Sequence, residues 1–406
     1  MTIKLVKTEQ PTRMTDEELC RRAEALVPTF RARALATERN RALLKETADD
    51  LFAAGLLRVF QPARYGGFEM DWPVQFNVGR ILARGCSATA WIFCVVGNHS
   101  AYAARYRKEL QDEIWGNDQD VLIATGSVQK SGKVVRVPGG FRASGTWGFA
   151  SGVDHSKWGS VMSRPEGEDA PVNLMFPRKD FQIADTWHVA GMRGTGTKDI
   201  VVQDAFVPEH RTLPQEVFVG RNPPGSLVSQ HYLQKVEFRP FTGSALLGPI
   251  LGTAEGAFDN YLAITRGRRA AIARDKIADN PLVQIRVSEA ASEIAAAGAL
   301  CERHMAFLHK KGLTLEPFTA EERVTITRDR AFATKLCLDA VERLTRMMGA
   351  QGLHDDNPVQ RAFRDLHAMS TQIGVAWDVN MPPYGKWILE QPSTPTGSGG
   401  ISAAQA

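Results

Sequence analysis

The sequence predicts an α+β chain in three parts, a helical domain, then a β domain, then a helical bundle. Three observations predict this order. Apolar residues recur every three or four positions up to about Asp118. They alternate from Val121 to about Pro208, and the helical period returns from Phe241 onward.

Within residues 15–120, Leu43, Leu44, Ala48, Leu51, Phe52 and Leu56 keep the helical spacing, which predicts an N-terminal α-helical domain. Residues 121–212 hold the runs VLIATGSV, KVVRV, FRASGTWGF, WGSVMSR, VNLMFP and DIVVQDAFVP. Gly, Pro and Asp separate them, as expected of a central β-barrel or sandwich. Residues 213–240 contain RNPPGS and no clear period, which predicts a connecting loop over the surface or along a pocket. Over 241–392, long runs rich in Ala, Leu, Glu and Arg predict a four-helix bundle. The closing QPSTPTGSGGISAAQA has the composition of a flexible tail over 393–406.

Composition narrows the function classes. The 406 residues are 43% hydrophobic and 23% charged, with a formal net charge of +4 and scattered basic residues, which argues against nucleic-acid binding. Five cysteines, Cys20, Cys86, Cys94, Cys301 and Cys337, form no CxxC pair, so no metal site is expected and a reducing, cytoplasmic location is. The basic start MTIKLVK has no apolar stretch behind it, and no segment is long enough to span a membrane. No strand-linked GxGxxG occurs; GMRGTG (Gly191 to Gly196) lies between strands and opens no helix.

Several motifs carry a more specific signal. LLRVFQPARYGGFEMDWPVQF (Leu56 to Phe76), CSATAWIFCVVGNHS (Cys86 to Ser100), LQDEIWGND, GTWGFASGVDHSKW (Gly145 to Trp158), GMRGTGTKDIVVQDAFVPEHR and PVQRAFRDLHA (Pro358 to Ala368) occur in this order. Together they closely resemble the two-component flavin-dependent aromatic hydroxylases, similar to the oxygenase components of 4-hydroxyphenylacetate and secosteroid hydroxylases. The similarity covers roughly Glu17 to Pro383 and implies an acyl-CoA dehydrogenase-like fold.

The resemblance implies a reaction of reduced flavin (FMNH2 or FADH2) with O2 through a C4a-hydroperoxyflavin that hydroxylates a phenol- or indole-like substrate. A separate NAD(P)H-dependent flavin reductase and a homotetramer are implied with it. S- or N-oxygenation of the dibenzothiophene type is the alternative. Acyl-CoA dehydrogenation is disfavoured, because the positions where dehydrogenases carry their carboxylate base read Ala270 and MSTQIGVAWD here.

The same resemblance assigns residues, each with a plainer competing reading. His99 would meet substrate, with Trp91 on its face, although a lone His in an apolar run is often a core residue. Ser151 would support the flavin hydroperoxide, with Trp147 and Phe149 as apolar walls; a turn with core packing is the alternative. Arg239 would pair with the flavin ring or be a surface residue. Arg269, heading a helix, would contact the cofactor phosphates or belong to a solvated basic face. Gly349 and Gly352 of GAQG would bring backbone to the cofactor or cap a helix. Substrate contacts are also expected from Ser127, beside a Gly126 that aligns with a family serine, from His367, and from Gln372 in place of a family histidine.

Overall fold

The structure, a computed structural model, describes residues 14–270 and 274–391. The expected tail over 393–406 lies outside them. Six helices come first: α1 (Asp16–Asn40), α2 (Lys45–Ala53), α3 (Trp72–Ala83), α4 (Ser87–Val96), α5 (His99–Ala103) and α6 (Lys108–Trp115). Thr15 starts the first, its side chain accepting the Glu18 N–H at 3.2 Å with Asp16, Glu17 and Glu18 in the first turn.

Eight strands follow: β1 (Ile123–Gly126), β2 (Val128–Val137), β3 (Gly140–Ala150), β4 (Trp158–Ser163), β5 (Val172–Pro177), β6 (Gln182–Ala184), β7 (Lys198–Pro208) and β8 (Thr212–Pro214). They form two four-stranded sheets, β1-β4-β5-β8 and β2-β3-β7-β6. Ala124, Val161, Leu174 and Phe176 of the first pack with Val134, Phe141, Trp147 and Ile200 of the second. Of the expected barrel or sandwich, the sandwich is formed and no barrel closes.

The carboxyl-terminal part contains α7 (Gln215–Val219), α8 (Arg239–Thr242), α9 (Leu247–Thr265), α10 (Pro281–Thr314), α11 (Ala320–Met348), α12 (Pro358–Ser370), α13 (Trp377–Asn380) and α14 (Pro382–Leu389). Helices α9 to α12 are the bundle. Segment 213–240 is more ordered than a connecting loop: β8 extends the first sheet, and α7 and α8 lie within or at its end. Its organiser is Arg105, fully buried, whose guanidinium donates to the carbonyls of Phe218 at 2.7 Å and Leu233 at 2.7 Å and also reaches Gly220. No periodicity encodes such a clamp.

Helix α9 sits unusually close to α3. Its Gly248, Gly252 and Gly256 share one face at i, i+4 spacing, and a Cβ on Gly252 would lie 2.0 Å from the Arg80 carbonyl. Gly252→Ala is therefore expected to lower unfolding free energy by about 1–3 kcal/mol, read as a drop in the urea midpoint at constant slope.

Candidate active site

One face of the first sheet is packed into the sandwich, and the other faces helices. Strand alternation turns Ile123 and Thr125 of β1, Ser160 and Met162 of β4, and Asn173 and Met175 of β5 to that second face. Over them lies a cavity of about 300 Å³, roofed by Tyr102, Tyr106, Phe218, Arg239, Thr242 and Ile373. His99 enters at the β1 side. No Asp or Glu lines this cavity, and Arg239 is its one fully charged side chain. A larger open groove of about 770 Å³ between α3, α9 and α10 is lined by ion pairs closed on themselves, such as Arg80 with Glu255 at 2.6 Å.

His99 starts α5 after a break at Gly97 and Asn98, and it is 5% exposed. Its Nδ1 lies 2.6 Å from the Ile123 carbonyl. A carbonyl only accepts, so Nδ1 carries the proton and Nε2, with no bond to any described residue, keeps its lone pair. Burial pushes the imidazole down to about 4, against the opposing carbonyl bond, so the ring is neutral at physiological pH.

This depression has a stability consequence. The folded value lies below the ordinary 6.5, so the contribution is present above pH 6.5 and lost as pH falls toward 4. The full loss corresponds to about 3 kcal/mol. His304, bonded to Ser244 at 2.7 Å and pushed down to about 3 by burial and by Arg330 and Arg303, adds in the same direction. Asp365, raised to about 6 by burial, opposes them. His99→Asn is expected to flatten the acid side of the stability profile between pH 6.5 and 4.5, measured by denaturant unfolding.

The cavity brings together His99, Ser127 and Arg239 of the expected residues. A Cβ on Gly126 would meet Trp147 Cβ at 2.8 Å, so that position is closed to a side chain and Ser127 supplies the nearby hydroxyl. Gln372 is half-buried and turned to its own backbone, accepting from Gly374 N–H; its neighbour Ile373 is the one lining the cavity. His367 is exposed, with Nδ1 on the Phe363 carbonyl at 2.8 Å, and does not reach the cavity.

Trp91 does not share the cavity with His99. The break after α4 rotates the two apart, and Trp91 Nε1 instead donates to Ser151 Oγ at 3.3 Å. Ser151, 6% exposed, also bonds Thr197 at 2.9 Å, and Thr197 bonds Thr195 at 2.6 Å, a hydroxyl chain outside the cavity lining. Trp147 is no pocket wall: it is fully buried inside the sandwich. Phe149 points the other way, 50% exposed at φ 65°, edge-on to Trp187 at 6.3 Å. A non-glycine residue held at positive φ is a strain that marks functional sites.

Arg269 heads no helix. It is exposed in the connection between α9 and α10, bridged to Lys276 and donating to the Arg274 carbonyl at 3.0 Å. Its neighbour Arg268 takes the other side: Nη1 is buried with no partner among the described residues, and Nη2 is 3.8 Å from where a Cβ on Gly349 would sit. Gly349, at φ 59°, ends α11, and Gly352 is buried in the following turn. An orphaned guanidinium nitrogen beside open backbone fits a phosphate oxygen.

Tyr102, Tyr106, Asn173 and Gln215 were not anticipated. Tyr102 and Tyr106 follow His99 at i+3 and i+7, a helical face visible in HSAYAARY. Asn173 was also readable, a polar residue on the apolar strand VNLMFP.

Residues 245–377 match the family model described as acyl-CoA dehydrogenase, C-terminal domain. The chain is 33% identical over 352 residues to the flavin-dependent monooxygenase oxygenase subunit HsaA of Rhodococcus jostii, covering 86% of this chain and 92% of that protein. It is 29% identical over 399 residues to the p-hydroxyphenylacetate 3-hydroxylase oxygenase component of Acinetobacter baumannii, covering 97% and 94%. The crystal structure of 3-HSA hydroxylase from Rhodococcus sp. RHA1 superposes with a TM-score of 0.86 at 30% identity over 93% of this chain and 98% of that one.

Proposed function

The chain belongs to the oxygenase subunits of flavin-dependent monooxygenases, and from that premise we propose that it hydroxylates an aromatic substrate in the cavity beside His99. The observation that carries this reading is the convergence of His99, Ser127 and Arg239 on one cavity that no carboxylate lines among the described residues. A dehydrogenase needs a base within reach of the substrate α-proton. This cavity has none.

Bound reduced flavin supplies the oxygen chemistry, delivering one atom of O2 to the substrate and releasing the other as water while the flavin is oxidised. The chain's residues do the rest. His99 Nε2 accepts a hydrogen bond from a substrate O–H or N–H, and the Ile123 carbonyl fixes the ring's tautomer and direction. The Ser127 hydroxyl completes the polar end. Arg239 places positive charge where the reduced ring is anionic, and Tyr102, Met175 and Phe218 exclude water from the reacting atoms. Arg268 and the Gly349 to Gly352 turn are the phosphate cradle in this reading, with Arg269 on its solvent side. Phe149 and the Ser151 hydroxyl would stand beside the ring in this reading.

An oxygenase component works with a partner that reduces the flavin, and in our proposal that partner draws on NAD(P)H. A homotetramer is part of the proposal, supported by exposed Leu282 and Ile285 on α10 and Leu389 on α14. Among the described residues no helix is long and apolar enough to cross a membrane, and the five cysteines are unpaired, which supports a cytoplasmic location.

The test mixes anaerobically reduced FMN or FAD with the protein, then adds O2 and one of a panel of phenols, indoles and thiophenes. Hydroxylated product with little hydrogen peroxide is expected. Failure of every substrate, with reduced flavin reoxidising as fast as in free solution, overturns the proposal.

A further inference from the structure

We propose that the end of the cavity away from His99 is a second recognition subsite, formed by Asn173 and Gln215. The substrate is then an aromatic that carries a neutral donor and acceptor group, such as a carboxamide or lactam, at the end opposite the oxidised position. This rests on the reading of the cavity as a hydroxylase substrate site.

The span follows from the sheet. Ser127 follows strand β1 directly, β4 lies beside β1, and β5 comes next, with Met162 of β4 paired to Asn173. Two strand spacings separate the His99 and Ser127 end from Asn173, about 10 Å. A ring with a polar group at each end, hydrogen-bonded at both, bridges that distance. Met162 and Met175 lie on the same face between them, beside Ser160.

The chemistry of the far end follows from its hydrogen bonds. Asn173 is 8% exposed, and its Nδ2 donates to the Leu213 carbonyl at 3.2 Å and to Gln215 Oε1 at 2.7 Å. The Leu213 carbonyl only accepts, which fixes the Asn173 amide, and that in turn fixes Gln215 with Oε1 toward Asn173. Both Asn173 donors are spent. What remains for a ligand is one acceptor, Asn173 Oδ1, and the two donors of Gln215 Nε2. A carboxamide or lactam satisfies both. A carboxylate has nothing to give Oδ1, which would leave that buried acceptor without a partner.

The test compares three ligands of one skeleton, 2-naphthol, 6-hydroxy-2-naphthamide and 6-hydroxy-2-naphthoate. Dissociation constants are measured calorimetrically on the whole protein with flavin present, and product is measured separately with reduced flavin and O2. The wild type is expected to bind the naphthamide at least tenfold more tightly than the naphthoate. Gln215→Leu is expected to shrink the advantage of naphthamide over 2-naphthol, and the isosteric Gln215→Glu, which loses the donors, to do the same. Equal or tighter binding of the naphthoate by the wild type overturns the inference, as does an equal loss for all three ligands in Gln215→Leu. Ligands sorted as described but never oxidised would sink the hydroxylase reading and leave the subsite standing. Oxidised but unsorted ligands would do the reverse.

Discussion

His99→Ala is expected to reduce hydroxylated product per turnover by about 10²–10⁴-fold, with reduced-flavin affinity changing far less. The imidazole is held neutral and single-tautomer by burial and by the Ile123 carbonyl, and both features serve an acceptor at Nε2. His99→Asn tests that role against a merely structural one, because an amide donor can still reach the Ile123 carbonyl while the Nε2 acceptor is gone. The asparagine variant is expected to fold and to be as defective as alanine. Near-wild-type product formation by it would make His99 a packing residue. With the imidazole down at about 4, the wild type should show no inflection from His99 between pH 6 and 8, and activity should fall only as pH drops below about 5.

The order of helices, strands and helices was legible because burial imposes a period on each element, and the chain keeps those periods. Part of the site was legible too. His99, Ser127 and Arg239 lie 140 positions apart at their extremes and share no period; only the resemblance of their motifs grouped them, and the cavity brings them together. The misses have local causes. The resemblance makes Trp147 a pocket wall, and periodicity cannot correct it because it does not say which side of a strand holds the packed sandwich; the structure has the alternative, core packing. Arg268 and Arg269 sit in an irregular connection where no period separates inside from outside, and the structure turns the first inward and the second out.

The connecting segment runs along a pocket but is more ordered than its lack of period implies, for a different reason. Its order comes from one buried arginine, Arg105, satisfying carbonyls more than a hundred residues away, and a long-range clamp leaves no trace in local sequence. Yet that segment delivers Gln215, Phe218 and Arg239 to the cavity. The shape of the substrate site therefore depends on a contact that the sequence did not display.

Arg239→Met is expected to lower product yield by about 10²–10³-fold and to divert the consumed oxygen to hydrogen peroxide. Arg239 makes no ion pair with any described residue and is the cavity's one charged group, so its charge is free to act on what binds there. Methionine keeps much of the side chain's length and removes that charge. Reduced flavin carries a negative ring and oxidised flavin a neutral one, so a charge at Arg239 favours the reduced form specifically. The ratio of reduced to oxidised flavin affinity should therefore fall in Arg239→Met, seen as a more negative potential for the bound flavin, and Arg239→Lys should restore much of it. A structural role would weaken both redox forms alike, and equal losses would remove Arg239 from the chemistry. In the proposed reaction His99 and Arg239 would then divide the work by charge, a neutral acceptor toward the substrate and a cation toward the flavin.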